Sequence, residues 1–514
     1  MRIKLCTFIL VLATLTLAAI AFWWAPLNQD EGWYLMAARR VSQGQMPYRD
    51  FAFTQAPLFP YIFQFAQPLV NKWGLAGGRL FQYVWFAMTF GILLWNCKQR
   101  CRPKTFYFAT LVIVSLLGLN VFQMQYAATV KTYVLAGFFL SLSMWGWLSY
   151  VQTQQRRALF LCAWALAAAT ATRLSLGLFF MPLGLSLLLN RQKNGDLAWI
   201  LFALTGAAGL TLSFGPFLLL APEGLRFALL DYHAARQIDA FWMLKAGFLS
   251  RMVQSYFPAL IILLMLLPQW KTWQPGLRSM FLGIVSVTIL HLLAPFPYDD
   301  YQVALYPALI LLIAIESAHQ FSTEKQNRLA PLLSMSALLF AFSSAQVLTW
   351  FSYGQDRIWW KTKTQSDLHT LQQAAKSIQA LNPSPKLLLT TDSYLAIETG
   401  YEIPEDMEMG AFAYFPKMDL YRAEKLHVLN TQRLRTLLQN SPAPLAAISG
   451  YSFAIQSPAI SPTPGEQLQA LHLLLEERYE PIREIENFGQ GHTPLTIYRL
   501  KQEPSPSMSP LPRP

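Results

Sequence analysis

Charge is scarce in this chain. Only 13% of its 514 residues are Asp, Glu, Lys or Arg, while 54% are hydrophobic. With a mean hydropathy of +0.30, that balance is too apolar for a soluble protein of this length. Cysteine is scarce too, with four in all. Cys6 and Cys162 fall in hydrophobic runs, and Cys97 and Cys101 flank a basic cluster. A disulfide framework is excluded, so the polar C-terminal region must be held by core packing. Cys97 and Cys101 have no second Cys or His pair nearby, and the seven histidines show no metal-ligand spacing, so no metal site built by the protein is expected. The C-terminal region lacks a glycine-rich phosphate loop and a nucleophile elbow, and the chain has no internal repeat.

The hydrophobic residues come in blocks of bilayer-spanning length. They predict spans at 5–24, 76–96, 106–124, 132–150, 158–174, 175–190, 197–221, 252–268, 279–297, 301–320 and 329–351, about eleven helices. Basic residues recur in every second loop: Lys98, Arg100, Arg102 and Lys104, then Arg156 and Arg157, Arg191 and Lys193, Lys271 and Arg278, and Lys325 and Arg328. By the positive-inside rule these loops and the N-terminus are cytoplasmic. Loop 25–75, the turn near 125–131, loop 222–251, the turn at 298–301 and the C-terminal region then lie outside. Much of the net charge of +12 is this topological signal, so no nucleic-acid partner is expected. Ala19-Ile20-Ala21 resembles a signal-peptide cleavage site, but the apolar run continues through Trp23 and Trp24 to Pro26, longer than a usual signal core.

After Lys361 the composition becomes that of a soluble domain. Helical patterns near 365–381, 419–440 and 465–478 alternate with strand-like runs at 386–391, 444–448 and 495–500, which predicts a small α/β domain over 361–502. The Pro/Ser-rich stretch 503–514 is expected to be disordered. The predicted fold is thus mainly α: a polytopic transmembrane bundle over 1–360, then an exported α/β domain.

Against this background Asp30 and Glu31, at the exit of the first span, demand a reason, because carboxylates beside a bilayer are costly. Being adjacent, they diverge by about 100° on a helix, so they do not form a facing acid/base pair. One is expected to act and the other to orient. As a structural alternative, Asp30 caps a helix over 31–43 that stops at Gly44. Arg49, Arg79, Lys131 and Arg173 are the cations near the same boundary. Lys131 as a boundary lysine can simply snorkel, whereas an intramembrane Arg173 is a functional candidate. Asp299, Asp300 and Tyr301 form a polar turn after Pro295 and Pro297 in which Asp300 can cap the next helix or bind substrate. His291 lies within a span, where a satisfied core role is the simpler reading. Loop 222–251, with Arg226, Asp231, His233, Arg236 and Lys245, is either a solvated loop or an interfacial lid.

The run Asp30-Glu31-Gly32-Trp33-Tyr34 after the first span, then Gly44-Gln45-Met46-Pro47-Tyr48-Arg49-Asp50-Phe51 and the Pro-rich aromatic segment 54–61, resembles the GT-C superfamily of integral membrane glycosyltransferases. Its nearest relatives in style are bacterial dolichyl-phosphate-mannose protein mannosyltransferase-like enzymes and the lipid A aminoarabinose transferase. The resemblance implies sugar transfer from a polyprenyl-phosphate donor to a lipid, glycan or protein acceptor at the outer face of a bacterial inner membrane. The first-loop acid is then the base, which maps to Asp30 with Glu31 in support. Arg49, Lys131 and Arg173 are expected on the donor phosphate, and Tyr34, Tyr48, Asp299, Asp300 and Tyr301 on substrate. Relatives often carry a second acid after the basic residue of the second outer loop, and none follows Lys131 here. No cofactor is implied, and a divalent ion held by Asp30 or Glu31 against the donor phosphate has no support in the sequence. The alternative is a transporter or flippase of a lipid or glycolipid, for which paired broken helices with midplane polar residues are expected; the polar residues here concentrate instead at the outer boundary.

Overall fold

The computed structural model describes residues 2–190, 196–234, 241–453 and 463–501. Arg191, Lys193, Arg236 and the 503–514 tail lie outside the described residues. Six described helices are long and apolar enough to cross a membrane: Ile3–Trp24, Leu75–Arg100, Thr132–Thr153, Leu197–Leu220, Trp242–Thr272 and Thr323–Trp350. A seventh is added if Pro103–Gly118 and Val121–Ala128, bent by 67°, form one span. Leu5, Phe8, Leu12 and Leu15 of the first helix point outward, as on a lipid-facing helix.

The other predicted spans are shorter helices, Arg156–Thr172, Phe180–Leu189, Leu277–Leu293 and Tyr306–Gln320, so the expected eleven are not reached by this measure. The cause is local. Arg173 has an extended backbone (φ −143°, ψ 112°) and ends the helix before it, and Lys131 is extended before Thr132. Ala294 and Tyr298 likewise leave the helical region on either side of Pro295 and Pro297. These irregular segments converge on one cavity, where non-helical backbone is tolerated because it is buried in protein or reached by water.

The first loop forms a helix over Gln29–Ser42. Asp30 is not its cap, contrary to the alternative weighed from sequence. Asn28 accepts from the Asp30 N–H, and Glu31 reaches back to the Asn28 N–H at 3.2 Å, because a carboxylate at the third helical position completes a capping box with Asn28. Gly44 (φ +86°) follows the helix end as expected.

This helix does not pack on the bundle alone. Leu35, Met36, Phe53 and Phe59 share one hydrophobic core with Leu371, Leu395, Ala446 and Ile497 of the C-terminal region, while the transmembrane helices bury a separate cluster. The C-terminal sheet has strand order β3-β4-β6-β5, with β3 Leu388–Leu389, β4 Leu445–Ile448, β5 Tyr479–Phe488 and β6 Thr493–Leu500. Only β3 and β4 run parallel. A hairpin of β1 Ser352–Asp356 and β2 Trp359–Thr362 precedes it. β5 was not anticipated, because Glu480, Arg483, Glu484 and Glu486 mask its alternation. The helix expected over 419–440 is two, Leu420–Lys425 and Thr431–Asn440, parted by His427 at φ +55° and by the Asn430 cap.

The contact between loop and domain is close at Gly32, where an added Cβ would lie 2.1 Å from the Tyr394 backbone nitrogen and 2.6 Å from the Ser393 carbonyl carbon. Both obstacles are backbone. Gly32→Ala is therefore expected to cost about 1–3 kcal/mol, read as a lower thermal midpoint in detergent. Gly91→Ala, which meets open space within its helix, should be neutral or stabilising by up to about 1 kcal/mol. Equal midpoints for the two variants would count against this packing.

Candidate active site

The capping box leaves the Asp30 side chain free of a capping role. It faces a cavity of about 930 Å³ that is also lined by Lys131, Arg173, His291, Asp300 and Tyr301. The Lys131 ammonium lies 2.8 Å from Asp30 Oδ2 and 3.0 Å from Asp300 Oδ2, and the Trp33 indole N–H donates to Asp30 Oδ1 at 3.0 Å. Lys131 thus turns inward, with its side chain only 8% exposed, where snorkelling would have pointed it to solvent. Asp300 lies inside the helical turn at 299–302, whose cap position is Tyr298. Its Oδ2 goes to Lys131, and its buried Oδ1 has no partner among the described residues. Lys131 thus meets a second carboxylate that lies far from it in sequence, Asp300.

Arg173 stands beside this cluster. Its guanidinium sits 4.1 Å from the centre of the Tyr133 ring and 5.1 Å from that of Tyr301, and it donates to Thr132 Oγ1 at 3.0 Å. Among the described residues no carboxylate lies within ion-pair distance of it. One cation is therefore shared between two carboxylates while a second is held by aromatic faces, an arrangement with room for one further anion.

Glu31 has a different part. It is fully buried and pairs with Arg79, also fully buried, through Oε1 at 2.7 Å and Oε2 at 3.0 Å. Oε2 also accepts from the Val130 N–H at 3.2 Å, and Arg79 donates to the carbonyl of Phe22 at 3.2 Å. Both Glu31 oxygens and the Arg79 guanidinium are thereby spent on structure. Among the described residues no group of three or more His, Cys, Asp or Glu is gathered to hold a metal ion.

The remaining expected residues divide. Tyr34 and Tyr301 line the cavity, Tyr34 stacked on Trp33 with ring centres 4.0 Å apart. Tyr48 does not line it. Held at φ +67°, it donates its hydroxyl to the Gln55 carbonyl and meets Phe217 edge-on, closing the first loop. Arg49 is bidentate to Asp50 at 2.8 and 2.7 Å on the surface. Asp299 turns to Arg251 at 2.6 Å, and its carboxyl is raised above the ordinary value by burial, against the pull of Arg251. His291 lies within hydrogen-bond reach of Ser175 at 3.0 Å and Gln302 at 3.3 Å. Sequence reasoning did not single out Tyr133, nor the C-terminal residues Phe412, Tyr451 and Gln490 that close the cavity. Tyr133 lies two residues from Lys131 and was within reach of a sequence reading, whereas the others are brought there only by domain packing.

Two crystal structures share this architecture over nearly their whole length. ArnT from Cupriavidus metallidurans bound to undecaprenyl phosphate has a TM-score of 0.63 at 12% identity, covering 95% of this chain and 97% of that one. The same protein in the apo state has a TM-score of 0.60 at 12% identity and the same coverage. This chain has the ArnT fold. The GT-C resemblance drawn from the first loop holds at the level of fold. No family model matches the sequence, and no curated protein is similar to it by sequence.

Glu31→Gln is expected to lower stability by about 3–5 kcal/mol, because it leaves Arg79 as a buried charge without its partner. Asp30→Asn, at a carboxylate 25% exposed, should cost no more than about 1 kcal/mol. Thermal unfolding of both variants in detergent checks this, and equal losses would contradict the division of roles.

Proposed function

We propose that this chain is an integral membrane glycosyltransferase that moves a sugar from a polyprenyl-phosphate donor to a hydroxyl or amine acceptor. The observation that carries the reading is the pairing, in one cavity, of a positioned carboxylate with an arginine lacking an acidic partner among the described residues. The structural neighbour ArnT was crystallised with undecaprenyl phosphate, which supports a lipid-phosphate ligand here.

In this reading Asp30 is the base. Lys131 and the Trp33 indole hold its carboxylate in place and aim it into the cavity. The acceptor O–H or N–H attacks the anomeric carbon and its proton passes to Asp30. The bond from that carbon to the phosphate oxygen breaks, and polyprenyl phosphate leaves with the electron pair and one more negative charge. Arg173 faces that charge, and Lys131 contributes to the same field. Asp300 Oδ1 and Tyr301 are placed for donor sugar hydroxyls. Glu31 supports by position only, through Arg79.

The same reading carries the topology. The hydrophobic blocks carry the eleven spans, and the alternating basic loops put the N-terminus in the cytoplasm and the cavity and domain 361–502 on the periplasmic face of an inner membrane. The apolar rim formed by Leu290 and Leu293 at the cavity suits entry of a lipid tail from the bilayer.

Labelled polyprenyl-phosphate sugars and a cell-envelope extract test the proposal. Transfer by purified wild type should fall at least about a hundredfold in Asp30→Asn, with affinity for polyprenyl phosphate retained. Arg173→Ala should weaken that affinity at least about tenfold, the value of one charge-assisted contact. Absence of transfer from every donor by folded wild type would defeat the reading.

A further inference from the structure

Part of the cavity wall is built by the C-terminal region, which contributes Phe412, Tyr451 and Gln490. This wall is fastened to the residue beside Asp30. Gln490 Oε1 accepts from the Gln29 backbone N–H at 2.7 Å, and the Gln29 amide donates to Asp392 at 2.8 Å and to the Tyr394 hydroxyl at 3.2 Å. Asp392 is fully buried, and Tyr394 donates to it in turn at 3.0 Å.

Tyr451 is half-buried at this wall. Its backbone N–H goes to Ser449 Oγ at 3.3 Å, and among the described residues nothing bonds its hydroxyl. The phenol also senses the base: burial first, then the charges of Asp392 and Asp30, hold its proton more tightly than usual. A half-buried phenol that lines a ligand-sized cavity and makes no hydrogen bond through its hydroxyl among the described residues is open to a partner from outside. The same cavity lining includes the Phe412 ring and the uncharged amides of Asn28 and Gln490. Flat apolar surface beside neutral donors and acceptors matches a pyranose, which has an apolar C–H face and a hydroxyl edge. The cations of the described lining are already engaged, Lys131 between two carboxylates and Arg173 on the side assigned to the donor phosphate.

We infer that Tyr451 and Phe412 form an acceptor subsite for a neutral sugar, in which the Tyr451 hydroxyl bonds one ring hydroxyl and so turns a neighbouring one toward Asp30. The inference rests on the glycosyltransferase reading and adds the acceptor's chemical class to it.

Saturation-transfer NMR on the full chain in lipid nanodiscs, with methyl hexopyranosides as probes, tests it without needing the donor. Wild type should transfer saturation to at least one hexoside. Tyr451→Ala and Phe412→Ala should each cut that signal at least about fivefold, the value of one hydrogen bond or ring contact, and Tyr451→Phe by less than Tyr451→Ala. Arg49→Ala, whose guanidinium lies on the surface against Asp50, should keep the signal, and unchanged thermal midpoints should accompany Tyr451→Phe and Arg49→Ala. The inference is overturned if wild type binds no hexoside, or if binding survives Tyr451→Ala but is lost on Asp300→Asn, which would place the sugar on the donor side. A Tyr451-dependent signal from a Ser/Thr peptide or a phosphorylated glycolipid, with the hexosides silent, would overturn it equally. Hexoside binding unaffected by Tyr451→Ala in a protein that still transfers label would defeat this subsite and leave the transferase standing. Tyr451-dependent binding without any transfer would defeat the transferase.

Discussion

The two parallel contacts between Glu31 and Arg79 tie the beginning of the first-loop helix to the start of Leu75–Arg100, and through the Val130 N–H to the segment that carries Lys131. Arg79 also satisfies the carbonyl of Phe22, at the end of the first transmembrane helix. Both side chains are fully buried, so neither can relax into water, and the geometry is set by the planar fork of the guanidinium. Everything the cavity presents depends on this joint. Asp30 is one residue from Glu31, and Lys131 is one residue from Val130. A single buried ion pair therefore sets the spacing between the carboxylate and the ammonium that meet at 2.8 Å.

The second constraint is electrostatic. Polar backbone and charged side chains are costly at membrane depth, and the chain confines them to segments where helices break. Lys131, Arg173 and Asp300 all lie at such breaks, and each break faces the same cavity. The breaks that lower the number of long spans are thus the price of a charged site within the bundle. The C-terminal region completes the enclosure. Its core is continuous with the first loop, and the close approach of Gly32 to Tyr394 and the bonds from Gln29 to Gln490 and Asp392 hold the two as one unit. That region acts on the site by position as well as by the side chains it adds to the wall.

Much of the bundle could be read directly, because a bilayer imposes length and hydropathy locally and span by span. The first-loop acids, Lys131 and Arg173 could be read for the same reason, since charge out of place in an apolar sequence stands out. What could not be read was which charges meet. A capping role was the local alternative for Asp30, and it falls instead to Asn28 with Glu31. Glu31 looked like a partner in chemistry until Arg79 claimed it. Asp300, separated from Lys131 by 169 residues in the chain, carried no signal of its neighbour. Arg49 and Tyr48 belong to the motif that carried the resemblance, yet lie outside the cavity lining, because a motif preserves the shape of a loop as well as the groups that reach a ligand. β5 was hidden because a strand at a sheet edge exposes most of its side chains and need not alternate.

The sequence by itself determined a membrane bundle with alternating basic loops, a first loop with an acidic pair, and a C-terminal region of mixed helix and strand, since each follows from residue spacing over one or two elements. Only the tertiary structure decided that Asp30 faces Lys131, that Glu31 is buried on Arg79, that Asp300 meets the same Lys131, and that Tyr451 comes to the same cavity from the other end of the chain. Pairing of charges across long separations depends on how helices and sheet pack, and hydrophobic burial drives that packing without regard to which polar groups it brings together.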